Sequence, residues 1–506
     1  MDHFTSGSVV ASDRYGYLLR LIIAIPIFFV LKFSVTLIYN VLFHPLRKYP
    51  GPKLAAATDL LHAYYSIKGA EIDWTARMHE QYGEVVRLGP NKLSYTKPEA
   101  WRDITGHRTG GRQENSKDPN FYTPDLNGEY NLAGTFDSKD HGKIRRVFSN
   151  AFSDKALKLQ EGLIRGYVNK LVSNMKDTVE ENPSARMNGV KLYNCTTFDV
   201  MGDLTFGESL GMLESSEYTP WVRAVFDSIK IAAIFRILVT CCPWVGRLME
   251  AFMPKSLRDL RQSHFDHTIQ RVNRRLENDG DSHKPDIWSL VLTKGQEVLA
   301  VPQMHANAAM FMIAGTETTA TLLSGLTYLL LKHPEKMRKV VDEVRSLTFD
   351  DLSLDTLPQL PYLNACFEEG LRCYPPVPNG LPRETPKGGN VICGEWVPEK
   401  TAVFVSPKAA FSSEKNFKDA KSFVPERWLP NTGYENDKRE VFQPFSFGPR
   451  NCLGKNLAYH EMRIILATVL WHFDLELCPE SNAWMEQETY VFWEKPPLWI
   501  KAKIVR

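Results

Sequence analysis

The chain begins with a long apolar block. From Leu21 to Phe43 polar side chains are scarce and Lys32 is the main interruption. At about 1.5 Å per residue, such a helix crosses a bilayer core of about 30 Å. A cleaved leader with its apolar region at Leu21 to Leu31 is the competing reading, but apolar character resumes after Lys32 and no clear small-residue cleavage site comes after it. The block therefore predicts a transmembrane anchor over residues 21–43, preceded by a lumenal segment over 1–20. Arg47, Lys48 and Lys53 gather positive charge on the C-terminal flank. The positive-inside rule then keeps the rest of the chain on the cytosolic side, although Arg14 and Arg20 weaken the contrast. Pro45, Pro50, Gly51 and Pro52 cannot continue the helix and predict a stiff hinge over 44–53.

Beyond the hinge, short β-rich runs occupy Glu84 to Leu88 and Lys92 to Tyr95. Helical periodicity then dominates from Lys143 to Lys176, from Pro254 to Asn278 and from Met304 to Lys332. Near Val391 to Val405 the pattern returns to β-branched residues punctuated by Gly and Pro, and Leu498 to Ile504 reads as a closing strand. The stretch from Thr105 to Asp140 is rich in Gly, Asn, Pro and Asp and predicts a long loop, either plain surface or a mobile segment that touches a ligand. No internal repeat and no low-complexity linker divides the body, so residues 54–506 read as one large, mainly α unit with smaller β-sheets.

Composition removes several function classes. A formal charge of +2 over 506 residues, with no basic run interleaved with aromatics, argues against a nucleic-acid partner. The eight cysteines are scattered without a C-x-x-C pair, and Cys241 and Cys242 form the only adjacent doublet, a poor pattern for disulfides or structural zinc. Asn194-Cys195-Thr196 matches a glycosylation acceptor pattern that would matter only in a secretory lumen.

One segment carries chemistry: Phe445-Ser446-Phe447-Gly448-Pro449-Arg450-Asn451-Cys452-Leu453-Gly454. It places a cysteine in a glycine-bounded loop just before an apolar helical run, Leu457 to Leu470. Gly448 and Gly454 permit turns and close approach to a flat cofactor, and the first-turn N–H groups of the next helix can hydrogen-bond the sulfur and favour its thiolate. Arg450 offers a fixed charge to an anionic carboxylate.

These residues resemble the F-x-x-G-x-R-x-C-x-G signature of the cytochrome P450 family, a match whose chance odds in a chain this long are on the order of 10⁻⁴. The resemblance implies haem b with Cys452 as the axial thiolate, the ligand that pushes electron density onto iron and favours O–O cleavage. It implies the family fold after one transmembrane helix, a mainly helical triangular body with smaller sheets and haem between two long helices, making 54–506 a haem-thiolate monooxygenase domain. Glu369-Gly370-Leu371-Arg372 resembles the family's E-x-x-R element, with both side chains on one helix face. Pro425-Glu426-Arg427-Trp428 resembles P-E-R-F, with Trp where Phe is usual, and would bring Arg427 into a structural network with Glu369 and Arg372. Ala314-Gly315-Thr316-Glu317-Thr318-Thr319 resembles the oxygen-binding segment. There Met310, Ala314 and Thr318 share a face with Phe311 and Gly315 beside them, and small residues leave room for O₂. Thr318 would hydrogen-bond the activated oxygen and Glu317 would help relay protons. Without the cysteine segment the same stripe would read as ordinary helix packing. His141 and Arg145 sit where the family has W-x-x-x-R on the haem propionates, with His in place of Trp, and Arg383 resembles the strand residue that reaches a propionate.

The implied reaction places one atom of O₂ in an organic substrate and releases the other as water. Electrons would come from NADPH through a separate membrane-bound cytochrome reductase docked near Lys143, Arg146 and Lys455. The implied location is the endoplasmic reticulum membrane, single-pass, with the catalytic domain cytosolic. Apolar segments expected to line the pocket, Phe311, Val377 to Leu381 and Tyr490 to Phe492, point to a hydrophobic small molecule. His44-Pro45-Leu46 and Tyr82-Gly83-Glu84-Val85-Val86-Arg87 resemble filamentous-fungal members of secondary metabolism acting on terpenoids or polyketides, such as trichothecene hydroxylases. An oxygen-independent isomerase or dehydratase, or a non-catalytic haem sensor, are the alternatives; such relatives tend to lose the acid–threonine pair, which this chain keeps.

Overall fold

The N-terminal apolar block is helical. In the computed structural model, which describes residues 6–108, 112–241, 244–246, 248, 255–277, 285–292 and 299–506, helix α1 runs Ser6–Leu42 and contains Pro26. Its stretch Ile23–Leu42 has 20 residues of mean hydropathy 1.9, none buried against the rest of the protein, which is long enough to span a bilayer. The hinge is one 3₁₀ turn, Pro45–Lys48, followed by extended chain. It is pinned to the body: Leu46 is fully buried, Arg87 N–H donates to the Pro50 carbonyl at 2.8 Å, and the Arg87 guanidinium donates to the Asn40 carbonyl at 3.0 Å. The expected stiffness therefore has a second source besides proline, a buried arginine gripping the end of the anchor.

Helices α2 (Lys53–Ala57), α3 (Leu60–Ile67) and α4 (Glu71–Tyr82) lead into strands β1 (Val85–Gly89) and β2 (Lys92–Tyr95), within a residue or two of the expected runs. After α5 (Pro98–Thr105), the long loop to residue 137 carries only the two-residue strand β3 (Ser116–Lys117) among its described residues, with 109–111 outside them. The single helical run expected over Lys143 to Lys176 is two helices, α6 (Ser138–Ser149) and α7 (Asp154–Glu181). The Ser153 hydroxyl accepts from Ala156 N–H and starts the second.

Strand β4 (Met187–Asn188) precedes α8 (Gly189–Phe206), which is buried almost throughout. The acceptor-pattern Asn194 lies inside α8, 3% exposed, with its amide donating to Tyr218 Oη at 2.9 Å; no glycan can be attached to it in this fold. Helices α9 (Met212–Ser215), α10 (Pro220–Cys241), α11 (Lys255–Glu277) and α12 (Ile287–Leu292) come next. Pro254 and Asn278, the ends of one expected helical run, and Cys242 of the cysteine doublet lie outside the described residues.

Helix α13 (Val301–Lys332) crosses the core and packs chiefly on α8. Helices α14 (Pro334–Arg345) and α15 (Pro361–Cys373) lead to strands β5 (Arg383–Glu384), β6 (Asn390–Ile392), β7 (Glu395–Val397) and β8 (Ala402–Val405), then α16 (Pro407–Phe411). Helix α17 (Lys455–His472), strands β9 (Phe473–Leu477), β10 (Thr489–Tyr490) and β11 (Phe492–Trp493), and the closing strand β12 (Trp499–Ile504) complete the chain. The largest sheet has the order β1-β2-β8-β5-β3. In it β2 pairs parallel to β8, and Lys117 lies opposite Arg383 across the antiparallel β3–β5 pair.

Candidate functional site

Between Phe445 and Lys455 the backbone folds on itself before α17 begins. Cys452 N–H donates to the Phe445 carbonyl at 2.9 Å and Asn451 N–H to the Gly448 carbonyl at 3.1 Å. Gly448 has φ +83°, and a Cβ there would lie 2.2 Å from the Thr105 carbonyl oxygen, so the loop closes against α5 only with glycine. Gly454 differs: its φ is −86°, and the nearest atom to an added Cβ is 3.8 Å away on Phe152. Arg145, on α6, donates to the Asn451 carbonyl at 2.7 Å and to Asn451 Oδ1 at 2.6 Å. Its partner in this fold is therefore the cysteine loop.

Cys452 is closely surrounded by protein and nonetheless keeps free surface. Burial pushes the thiol up from its ordinary value, while the Gly454 N–H bonded to the sulfur and the charges of Arg145 and Lys455 pull it down. One backbone donor and two nearby cations favour a thiolate over the thiol.

A second wall is cationic. Lys117, His141 and Arg383 are each about nine-tenths buried or more and stand within reach of Arg450. Burial and the charges of Arg383 and Arg450 push the Lys117 ammonium well down. Burial, then Arg450, Arg145, Lys117 and Arg383, lower His141 to about 4. Arg450 is lowered to about 10 by burial and Arg383, against Glu114 and Asp137. Its guanidinium donates to the Thr135 and Phe136 carbonyls and to Ser138 Oγ. The Arg383 Nε and the buried Tyr122 hydroxyl have no hydrogen-bond partner. Buried cations that repel one another need an anion, and haem propionates, two carboxylates on a flat group, fit that demand. Sequence alone did not single out Lys117 and Tyr122, because a lysine in a polar loop carries no signal until the β3–β5 register sets it opposite Arg383.

The third wall is α13. Along a mostly buried helix, Met310, Ala314 and Thr318 keep accessible surface, with Ala314 exposed. Thr318 Oγ1 donates to the Ala314 carbonyl at 2.6 Å, and Thr316 Oγ1 donates to the Met312 carbonyl. Thr197 of α8 donates to the Thr316 carbonyl at 3.3 Å. Two neighbours expected on this face are placed elsewhere. Gly315 packs on α8, where an added Cβ would lie 2.8 Å from Met201 Sδ. Phe311 is buried with its ring 4.8 Å from Phe148 and 5.6 Å from Phe152, so it belongs to the aromatic core. Glu317 is 3% exposed and pairs with the Lys495 ammonium. Of the expected pocket segments, Leu381 is exposed, Val377, Val491 and Phe492 are half-buried, and Tyr490 is buried.

Glu369 and Arg372 on α15 meet Arg427 in the protein interior. Glu369 accepts from Arg372 Nε at 2.8 Å, Arg372 Nη2 at 2.7 Å and Arg427 Nε at 3.1 Å. Arg427 also reaches Asp437 at 2.6 Å. Trp428, the departure from the usual Phe, donates its indole N–H to Glu369 Oε2 at 3.0 Å. The network closes as expected, with Asp437 and Trp428 as members the motif did not name.

The family profile described as Cytochrome P450 matches residues 61–501. The cytochrome P450 monooxygenase FUM2 of Gibberella moniliformis is 48% identical over 469 residues, 92% of this chain and 98% of that protein. The cytochrome P450 monooxygenase efuB of Hormonema carpetanum is 47% identical over 477 residues, 93% and 94%. The cytochrome P450 monooxygenase AMT3 of Alternaria alternata is 46% identical over 475 residues, 93% and 96%.

Proposed function

The chain belongs to the cytochrome P450 family and is a haem-thiolate monooxygenase that binds haem b through a cysteine thiolate and acts on a secondary-metabolite substrate; from that premise we propose that Cys452 is the ligand. The observation that carries this is the loop itself, a closely surrounded sulfur with free surface, bonded by Gly454 N–H and held by Arg145 through Asn451. Haem at this cysteine supplies the activation of O₂, which the anionic sulfur promotes.

Each wall then has a task. Lys117, Arg383, Arg450 and His141 bind and orient the propionates, and their mutual repulsion makes the site strongly anion-seeking. The small Ala314 leaves space above the ring, and Thr318 holds a hydroxyl proton there at Oγ1. Glu317 moves protons toward that hydroxyl. Glu369, Arg372 and Arg427 fix the shape of the cysteine loop. Phe445, whose ring lies 5.1 Å from Tyr459, shields the sulfur on its outer side.

As a monooxygenase the protein uses O₂, a redox partner and a small-molecule substrate. In our reading the partner is an NADPH-cytochrome reductase docking on the exposed cations Lys143, Arg146 and Lys455. Lys455 lines a surface groove of about 370 Å³ that includes Phe445, Phe447 and Tyr459. The anchor over 21–43 and hinge over 44–53 hold the catalytic domain, 54–506, on the cytosolic face of the endoplasmic reticulum. The substrate is a hydrophobic terpenoid or polyketide, supported by the half-buried Val377, Val491 and Phe492 and by the fungal sources of the three relatives.

The test replaces one atom. Cys452→Ser should fold, lose the absorption of thiolate-bound haem and lose oxygenation. A Cys452→Ser protein with the parent's Soret band and turnover would overturn the assignment.

A further inference from the structure

Glu317 and Thr318 are sequence neighbours, yet their side chains have different partners. The Thr318 hydroxyl donates to its own helix, whereas the Glu317 carboxylate is held at Oε1 by the Lys495 ammonium, both side chains 4% exposed. Lys495 also donates to Thr321 Oγ1 at 2.8 Å, one turn along α13 from Glu317. Thr321 in turn donates to Glu317 Oε1 at 3.3 Å. The second carboxylate oxygen, Oε2, is buried with no hydrogen-bond partner.

The cation is delivered by a rigid element. Lys495 lies two residues beyond the end of β11, and Trp493 of that strand donates its indole N–H to the Pro375 carbonyl at 2.8 Å. The Trp493 ring stacks on Tyr374 at 4.5 Å, and Tyr374 fills the space that a Cβ on Gly325 of α13 would need, 2.2 Å from its ring. The strand, the tyrosine and α13 are thus locked together, and Lys495 reaches Glu317 from a fixed point. Two further groups that feel the Glu317 charge, Tyr374 and Tyr218, are phenols pushed up by burial, so they stay neutral and cannot replace the cation.

We propose that Lys495 is the positioning residue of the proton relay: it ties down Oε1 and leaves Oε2 as the atom that takes and releases the proton. This rests on the reading of Glu317 as a relay. A carboxylate this buried neutralises itself when no cation accompanies it. With Lys495 present, a proton taken from water at Oε2 and released toward the Thr318 hydroxyl returns Glu317 to the carboxylate it began as. Without Lys495 the proton stays on Glu317 and the relay starts from the wrong charge state.

The experiment uses the full-length, haem-loaded protein with NADPH and its reductase and no organic substrate, and reads the hydrogen peroxide released per NADPH oxidised across a pH series. A parallel infrared measurement on the unloaded protein reads the protonated-carboxyl band near neutral pH. Lys495→Met should gain a band that vanishes in the Lys495→Met, Glu317→Gln double variant, and its peroxide share should rise several-fold and become steeply pH-dependent. Lys495→Arg, which keeps the charge, should restore the parent's pH profile. If Glu317→Gln raises the peroxide share while Lys495→Met gains no band and keeps the parent's profile, the relay stands and the role of Lys495 is overturned. If Glu317→Gln leaves the peroxide share unchanged, the relay itself falls, and this inference with it.

Discussion

Arg372 and Glu369 meet as a two-pronged pair on one turn of α15, at 2.8 Å and 2.7 Å, with neither side chain reachable by solvent. Glu369 serves four donors from two arginines and Trp428, together with the Val424 N–H at 2.8 Å. Removing its charge leaves the buried Arg372 guanidinium without a carboxylate and Arg427 with Asp437 alone, so Glu369→Gln should destabilise the protein by about 3–5 kcal/mol. Trp428→Phe deletes a single donor to the same charge and should cost about 1.5–3 kcal/mol. Denaturant midpoints of the two variants check the order; a Glu369→Gln protein as stable as Trp428→Phe would contradict it.

Lys117 is predicted to oppose the unloaded fold and favour the loaded one. Its ammonium is 5% exposed and pushed down by burial and by Arg383 and Arg450. Lys117→Met should therefore raise the unfolding midpoint of the haem-free protein. The same variant should release haem roughly tenfold faster, the equivalent of one charge-assisted hydrogen bond. Transfer of haem to an apo-globin scavenger measures the second effect, and opposite signs in the two assays are the expected signature.

The difference between Lys117 and Arg372 shows what the amino-acid order could reveal. Arg372 and Glu369 sit three residues apart on one helix, and the cysteine loop is continuous in sequence, so local spacing exposed both. Strands β1, β2 and β12 and the crossing helix α13 were equally legible from periodicity, whereas strands β3, β4 and β9 were not, and neither was the break at Asn150 to Ser153, because apolar spacing runs across it. What stayed hidden depends on distant segments meeting. Lys117 needs the β3–β5 register, Lys495 needs the C-terminal strands folded onto α13, and Gly315 looked like open space until α8 placed Met201 against it.

The two glycines that bound the cysteine loop should respond unequally to alanine. Gly448→Ala forces a side chain onto φ +83° and into the Thr105 carbonyl at 2.2 Å, with backbone strain alone worth about 1–3 kcal/mol. Gly454→Ala meets nothing closer than 3.8 Å and should shift the stability of the haem-free protein by less than about 0.5 kcal/mol. Thermal midpoints without haem decide this. A loss of haem binding in Gly454→Ala at unchanged stability would assign that glycine to the cofactor instead of the chain.

Reductase docking should depend on charge at Lys143, Arg146 and Lys455, all exposed. Lys143 faces Asp140 at 3.4 Å with both side chains about three-fifths exposed, so that pair contributes little to folding. Charge reversal at the three positions should leave stability near the parent's and slow reduction of the iron about tenfold or more at low salt, with the gap narrowing as salt rises. Stopped-flow reduction at two ionic strengths tests it, and unchanged rates would remove this face from consideration.

Acid should act on the fold through His79. This residue is buried between α4 and β2, with Nδ1 2.9 Å from the Gly83 carbonyl and Nε2 2.8 Å from Ser94 Oγ. A neutral ring satisfies both by donating to the carbonyl and accepting from the hydroxyl. Burial lowers its pKa to about 4, with the Gly83 carbonyl opposing the shift. The unfolded chain binds this proton near the ordinary value of 6.5 while the folded chain does not, so unfolding takes up a proton in that window. The stability His79 contributes is present in full above about pH 6.5 and is lost as pH falls toward 4. By pH 5 the loss from this one group is about 2 kcal/mol. His79→Gln keeps a donor and an acceptor without the titration, so its melting temperature should fall less between pH 7 and 5 than the parent's, even if it starts lower. Melting curves of the two proteins at pH 7, 6 and 5 read the slope directly, and parallel slopes would show that the ring is not held neutral.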